Sequence, residues 1–185
     1  FPLSQKFPPS RILDMISASD CEAIILGNEC IPILSSLLET YDKELMDLRI
    51  LYLFEDNSTI TLLAERFSRH EFISVHELSP DKCIHYPLAK ENDYAYLLFT
   101  SGTTGQPKGI GVTHRNICAY LEFILFQYDY CSEDRISQAF DLTFDPSAHD
   151  VFTAWLSGSC LCVVPASSLM APSRFIQEHK LTVWY

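Results

Sequence analysis

Positive charge is scarce in this chain. Thirteen Lys and Arg stand against 24 Asp and Glu, a formal net charge of −11 over 185 residues. Basic residues never gather into a run of five or more. Both facts argue against a nucleic-acid surface, which needs a broad positive field. Long hydrophobic runs are missing too. No apolar stretch approaches the ~20 residues of a membrane span, and no signal peptide is recognisable. The seven cysteines (Cys21, Cys30, Cys83, Cys118, Cys131, Cys160, Cys162) show no metal-finger spacing. They read as reduced, buried thiols of a cytosolic protein. Internal repeats and low-complexity segments are absent. With 48% hydrophobic and 20% charged residues, the composition suits a packed core rather than disorder.

What is present is an alternation of short strands and helices. Helices are expected over Pro8–Ser17, Ile31–Leu38, Thr59–Phe67, Arg115–Phe126, Pro146–Leu156 and Pro172–His179. Strands are expected at Ala23–Leu26 (buried), Arg49–Phe54, Glu71–His76, Tyr94–Phe99, Ile110–Thr113, Cys160–Val164 and Leu181–Tyr185 (buried), with an extended piece at Phe140–Phe144. Cys160 and Cys162 would then share one face of a strand. This order implies an α/β fold of layered, mostly parallel sheets flanked by helices. Polar connectors at Ser79–Lys82 and Pro87–Asp93 suggest a subdomain border near 79–93. The chain opens Phe1-Pro2-Leu3-Ser4 without Met and closes within an apolar run at Tyr185, so it is expected to be a piece of a larger protein.

The chemistry concentrates in Thr100-Ser-Gly-Thr-Thr-Gly-Gln-Pro-Lys-Gly109. Glycines admit close backbone approach, hydroxyls and amides donate hydrogen bonds, and Lys108 supplies positive charge. That set fits a polyphosphate. A Walker A loop is excluded, because Pro107 stands where its second glycine belongs and Gly109 follows Lys108. A dinucleotide fingerprint is excluded as well, since the strand-like Ile110-Gly-Val-Thr113 follows instead of a helix. A plain hairpin turn would need only one or two of these glycines.

This loop resembles the phosphate-loop signature of the adenylate-forming superfamily, which contains acyl-CoA synthetases, luciferases and the adenylation domains of nonribosomal peptide synthetases. Val112-Thr-His-Arg-Asn116 matches the stretch that follows it, and Phe7-Pro-Pro-Ser-Arg-Ile12 is similar to a proline-containing segment earlier in the family. The resemblance covers the whole chain and implies part of the large N-terminal subdomain of one adenylation domain, residues 1–185. The C-terminal lid with its catalytic Lys is expected outside this chain, and 185 residues alone are expected not to turn over. The resemblance assigns Thr100, Ser101, Gly102, Thr103, Thr104, Gly105 and Lys108 to the ATP phosphates, with Mg²⁺ as companion ion and no metal ligand in the chain.

A second segment, Phe140-Asp-Leu-Thr-Phe-Asp-Pro-Ser-Ala-His-Asp-Val-Phe152, resembles the fourth adenylation-domain motif. By that match Asp145 anchors the ammonium group of an amino-acid substrate. Helix grammar offers a second role for Asp145, as cap of the helix near Pro146, and the two are compatible. Phe144 and Phe152 would wall or support the pocket. His149 stands where an aromatic residue, typically Trp, is usual. It lies one helical turn after Asp145 and would contact the substrate side chain or pack as a partly exposed ring. The remaining histidines read as surface or capping groups.

The implied reaction is activation of an amino-acid carboxylate as an acyl-adenylate, then transfer to the phosphopantetheine thiol of a carrier protein in the cytoplasm. An acyl-CoA synthetase for a non-amino acid is the alternative enzyme. A catalytically silent binding domain is the alternative of another class.

Overall fold

A computed structural model describes residues 1–54, 58–78, 88–100 and 106–185. The chain divides into two compact units. The first comprises Leu3–Leu88 with Phe99–Gly109; the second comprises Phe1–Pro2, Ala89–Leu98 and Ile110–Tyr185.

In the first unit, α1 (Pro9–Ser19), β1 (Ala23–Leu26), α2 (Ile31–Tyr41), β2 (Arg49–Tyr52), α3 (Ser58–Arg66) and β3 (Glu71–Ser74) alternate as the sequence suggests. Prolines in the first turns of α1 and α2 start those helices where no amide partner is needed. The strands form a parallel sheet in the order β1-β2-β3, with Ile50 facing Ile24 and Phe72. Leu34, Leu37 and Leu38 of α2 and Ile60 and Leu63 of α3 bury their apolar stripes with Ile50 and Tyr52 of the central strand. Spacing of three and four residues puts each stripe on one helical face.

The second unit holds most of β4 (Tyr94–Thr100) and β5 (Lys108–Thr113), which pair as a two-stranded sheet, followed by α4 (His114–Tyr128). Then come β6 (Arg135–Gln138), α5 (Asp145–Ser157), β7 (Cys160–Val163) and α6 (Pro172–His179). Strands β6 and β7 pair in parallel, with Ile136 opposite Leu161. Helix α5 ends at Gly158, whose φ of 72° is the left-handed conformation a glycine takes without Cβ strain.

The α/β class and parallel pairing stand. Several local expectations need correction. Strand β1 is not buried, because it lies at the sheet edge and Ile25 is 64% exposed. Residues Val75–Glu77 close β3 with a 3₁₀ turn. The regular strand before α5 is Arg135–Gln138, which lies ahead of the expected extended piece, and residues 141–144 form a turn instead. Leu181–Tyr185 contributes one bridge, Val183 to Ile136, with Trp184 and Tyr185 partly exposed, so it is no buried strand. Of the described cysteines only Cys162 is buried, and Cys118, Cys131 and Cys160 are exposed. His70 is a core residue rather than a surface group. Cys83, His85, the Ser79–Lys82 connector and Pro87 lie outside the described residues.

Candidate active site

The turn that launches α5 is built locally. Asp141 Oδ1 accepts hydrogen bonds from the Thr143 amide at 3.1 Å and the Thr143 hydroxyl at 2.8 Å. The Ser147 hydroxyl donates to the Phe144 carbonyl at 2.6 Å. Phe144 occupies the N-cap position and offers no side-chain cap. Asp145 is therefore the first helical residue and not the cap. Its carboxylate sits at the positive end of the helix, exposed, with no hydrogen bond or ion pair among the described residues. The expected capping role does not hold, and the carboxylate is left free for an outside cation.

Asp145 opens into a cavity of about 590 Å³ within the second unit. That volume lies in the range of small-molecule sites. Its walls are Tyr96 of β4, Val112 of β5, one face of α4, Phe140, the first turns of α5, and Tyr185. The α4 face carries Asn116, Tyr120, Ile124 and Tyr128 at four-residue steps, with Ile117 beside them. Helix α4 is aimed by a capping box. Thr113 Oγ1 accepts from the Asn116 amide at 3.2 Å, and Asn116 Oδ1 accepts from the Thr113 amide at 3.2 Å. Phe152 stacks on Tyr96 with ring centroids 6.0 Å apart and backs that wall. Burial, and then the charge of Asp145, raise the pKa of Tyr96, so its phenol stays protonated.

His149 lines the same cavity as Asp145. Its Nδ1 shares a hydrogen bond of 2.8 Å with the Tyr120 hydroxyl, and its ring meets the Tyr185 ring edge-on at 4.4 Å. Burial lowers its pKa, so it is neutral near pH 7. Among the described residues its buried Nε2 has no partner. Asp150, on the same face of α5, is fully buried, with neither carboxylate oxygen hydrogen-bonded among the described residues. Burial pushes its pKa up to about 7. The Ala139 amide pulls the other way, yet forms no hydrogen bond of normal geometry. The Thr153 hydroxyl, one turn on, is also buried and unpartnered.

The structure thus brings Asp145 and His149 to one cavity. Phe144 is 62% exposed and does not line it; Phe140 does. Thr100 and Lys108 lie at the ends of β4 and β5, both exposed, in the first unit. Ser101, Gly102, Thr103, Thr104 and Gly105 lie outside the described residues. Sequence reasoning missed Tyr96, Tyr120, Asn116 and Asp150. The i, i+4 run Asn116–Tyr120–Ile124–Tyr128 was the available signal. Among the described residues no group of three His, Cys, Asp or Glu side chains could hold a metal ion, and no helix is long and apolar enough to cross a membrane.

Comparison with known proteins places this geometry. The family model described as AMP-binding enzyme matches residues 1–185. The mouse beta-alanine-activating enzyme is 30% identical over 199 residues, covering 98% of this chain and 18% of that protein. An L-proline–[L-prolyl-carrier protein] ligase of Pseudomonas fluorescens is 35% identical over 97 residues, or 51% of this chain and 20% of its own length. In three dimensions, the Vibrio cholerae adenylation domain AlmE, solved with glycyl-adenosine-5'-phosphate, superposes with a TM-score of 0.83 at 35% identity, covering 99% of this chain and 34% of that one. The chain thus spans 18–34% of the length of these relatives.

Proposed function

The chain belongs to the AMP-binding enzyme family, and within that family of adenylate-forming ligases we propose that it carries the amino-acid site and the ATP phosphate loop of an amino-acid-activating enzyme. In the proposed reaction a substrate carboxylate oxygen attacks the α-phosphorus of ATP. Pyrophosphate leaves, and an acyl-adenylate forms. The thiol of a carrier protein's phosphopantetheine then attacks the acyl carbon and releases AMP. Catalysis of this kind is positioning plus charge stabilisation.

One observation carries the reading. Asp145 places an unpaired carboxylate at the first turn of α5, on a cavity walled mostly by aromatic and aliphatic groups. A free carboxylate there pairs strongly with an ammonium group. It gives no reward to a plain fatty or aryl acid. His149, neutral and tied to Tyr120, stands beside it to contact the substrate side chain. The prolyl-carrier protein ligase and the glycyl-adenylate complex support an amino acid as substrate and a carrier as acceptor.

Thr100, Ser101, Thr103 and Thr104, the amides of Gly102 and Gly105, and Lys108 would hold the β- and γ-phosphates. Mg²⁺ would travel with the nucleotide, held through its phosphates. The proposed setting is cytoplasmic, as one adenylation domain with a subdomain border near 79–93.

The test is ATP–pyrophosphate exchange in the full-length protein, run with amino acids and separately with fatty and aryl acids. Exchange is expected with an amino acid only. Asp145→Ala is expected to lower it roughly 30-fold to several thousand-fold, the 2–5 kcal/mol typical of removing one partner of a hydrogen-bonded charge pair that the bound substrate buries. Undiminished amino-acid exchange in Asp145→Ala would sink the anchor role.

A further inference from the structure

The proposed reaction leaves one reactive pair unused. Cys160 and Cys162 occupy the first and third positions of β7, and the two-residue period puts both side chains on one face. Their sulfurs lie 3.8 Å apart. The two thiols differ in access. Cys160 is exposed, whereas Cys162 is buried with Val164 and Phe175. In the β6–β7 ladder Cys160 stands opposite Arg135 and Cys162 opposite Ser137. The Arg135 guanidinium is fixed by donating to the His179 carbonyl at 2.6 Å. No third ligand completes a metal site among the described residues, so the pair suits chemistry that needs two sulfurs only.

We propose that Cys160 and Cys162 are an oxidative modification site, a dithiol that closes to an intrastrand disulfide on meeting a small-molecule disulfide of the glutathione class. The exposed Cys160, as thiolate, attacks one sulfur of the oxidant. A mixed disulfide forms and one small thiol leaves. Cys162 then loses its proton and attacks the Cys160 sulfur, and the second small thiol leaves. Two electrons and two protons pass from the protein to the oxidant, which becomes two thiols. The roles follow from the setting. Burial, and then its hydrogen bond and proximity to Cys160, raise the pKa of Cys162, while the charge of Arg135 works against that rise. Cys162 is thus the resolving thiol and Cys160 the entry point.

Strand geometry sets the character of the bond. Residues two apart in a strand have Cα atoms, and same-face Cβ atoms, about 6.4–6.8 Å apart; a disulfide tolerates that Cα span only at its upper edge and needs Cβ atoms within roughly 3.5–4.5 Å, so closure has to kink β7 locally. The bridge is therefore strained and readily reduced again, as labile and regulatory disulfides are. It forms under oxidative load and opens when thiols return.

The test uses the full-length protein treated with oxidised glutathione, quenched with acid, alkylated and mapped by mass spectrometry. The exposed Cys118 and Cys131 serve as internal references. The peptide carrying Cys160 and Cys162 is expected to lose two hydrogens and both alkylation sites, and to regain them after thiol reduction. In Cys162→Ser, Cys160 is expected to stop at the mixed disulfide; in Cys160→Ser, Cys162 is expected to stay reduced. A wild-type peptide bearing only the mixed disulfide, or one unchanged while Cys118 and Cys131 react, would overturn the proposal.

Discussion

In the first unit the buried ring of His70 has both nitrogens occupied. The Leu48 amide donates to Nδ1 at 3.0 Å, and Nε2 meets Asp42 Oδ1 at 3.1 Å. An amide aimed at Nδ1 needs a lone pair there, which assigns the neutral ring with its proton on Nε2. Burial lowers the His70 pKa against the pull of Asp42, consistent with that tautomer. Among the described residues of the second unit His149 has only its Nδ1 engaged, and α5 buries four polar atoms without partners: His149 Nε2, both oxygens of Asp150 and Thr153 Oγ1. Arg11 Nε is the one comparable atom described in the first unit. The first unit wraps its polar groups in a continuous apolar core. The second gives one face of α5 to a cavity and leaves polar groups along that helix unsatisfied among the described residues. Buried unsatisfied groups in native proteins concentrate where function, rather than stability, has chosen the residue.

The largest effect that breaks this contrast is expected in the first unit. Leu38 is completely buried on α2 among Leu34, Leu37 and Ile50. Leu38→Ala removes that packing and leaves a hole, at a cost of about 2–5 kcal/mol. Urea denaturation should show it as a lower midpoint. A loss under about 1 kcal/mol would mean that the first core is not closely packed around Leu38.

A smaller effect sharpens the contrast through pH. Asp150 keeps its proton to about pH 7 in the folded chain and ionises near 3.8 when unfolded. The folded state thus binds more protons between those values, and this group lowers stability as pH rises from about 4 to about 7, levelling above. The full shift corresponds to roughly 4 kcal/mol. Asp150→Asn removes the ionisation. Its advantage over the native chain is expected to be near zero at pH 4 and to grow to a few kcal/mol by pH 8. His70 acts with the opposite sign. Its lowered pKa makes the penalty set in as pH falls below 6.5, where the unfolded chain takes up the proton first. A pH-independent difference between Asp150→Asn and wild type would show that Asp150 has a partner after all.

How far the sequence foretold these units follows from which forces act locally. Helices α2, α5 and α6 announce themselves because proline starts and three-to-four-residue apolar spacing are local signals. Strand β6 was misplaced because Ile136 is flanked by polar Arg135, Ser137 and Gln138, two of which are buried only by tertiary contacts. Leu181–Tyr185 looked like a buried strand because apolar composition cannot tell a ladder from the single bridge made by Val183. At the site, Asp145 and His149 were legible as neighbours one turn apart. Tyr96 and Tyr120 were not, since each reaches the cavity from an element far away in sequence. His70 read as a surface or capping group for the same reason: its partners, Leu48 and Asp42, lie 22 and 28 residues away.

The smallest effect concerns how the cavity wall is aimed. Thr113 closes a reciprocal cap with Asn116, and Asn116 itself lines the cavity. Removing the Thr113 hydroxyl leaves the Asn116 amide without its acceptor and frees the first turn of α4. Thr113→Ala should cost about 1 kcal/mol, the usual value for a lost N-cap, and Thr113→Ser should restore most of it. Amide hydrogen exchange should locate the loosening in the first turn of α4, with α2 and α3 unmoved. Equal protection in Thr113→Ala and wild type would mean that contacts along Ile117, Leu121 and Ile124 fix the helix start without the cap. The second unit would then rest on its packing as the first one does, and the difference between them would narrow to the unpartnered groups of α5.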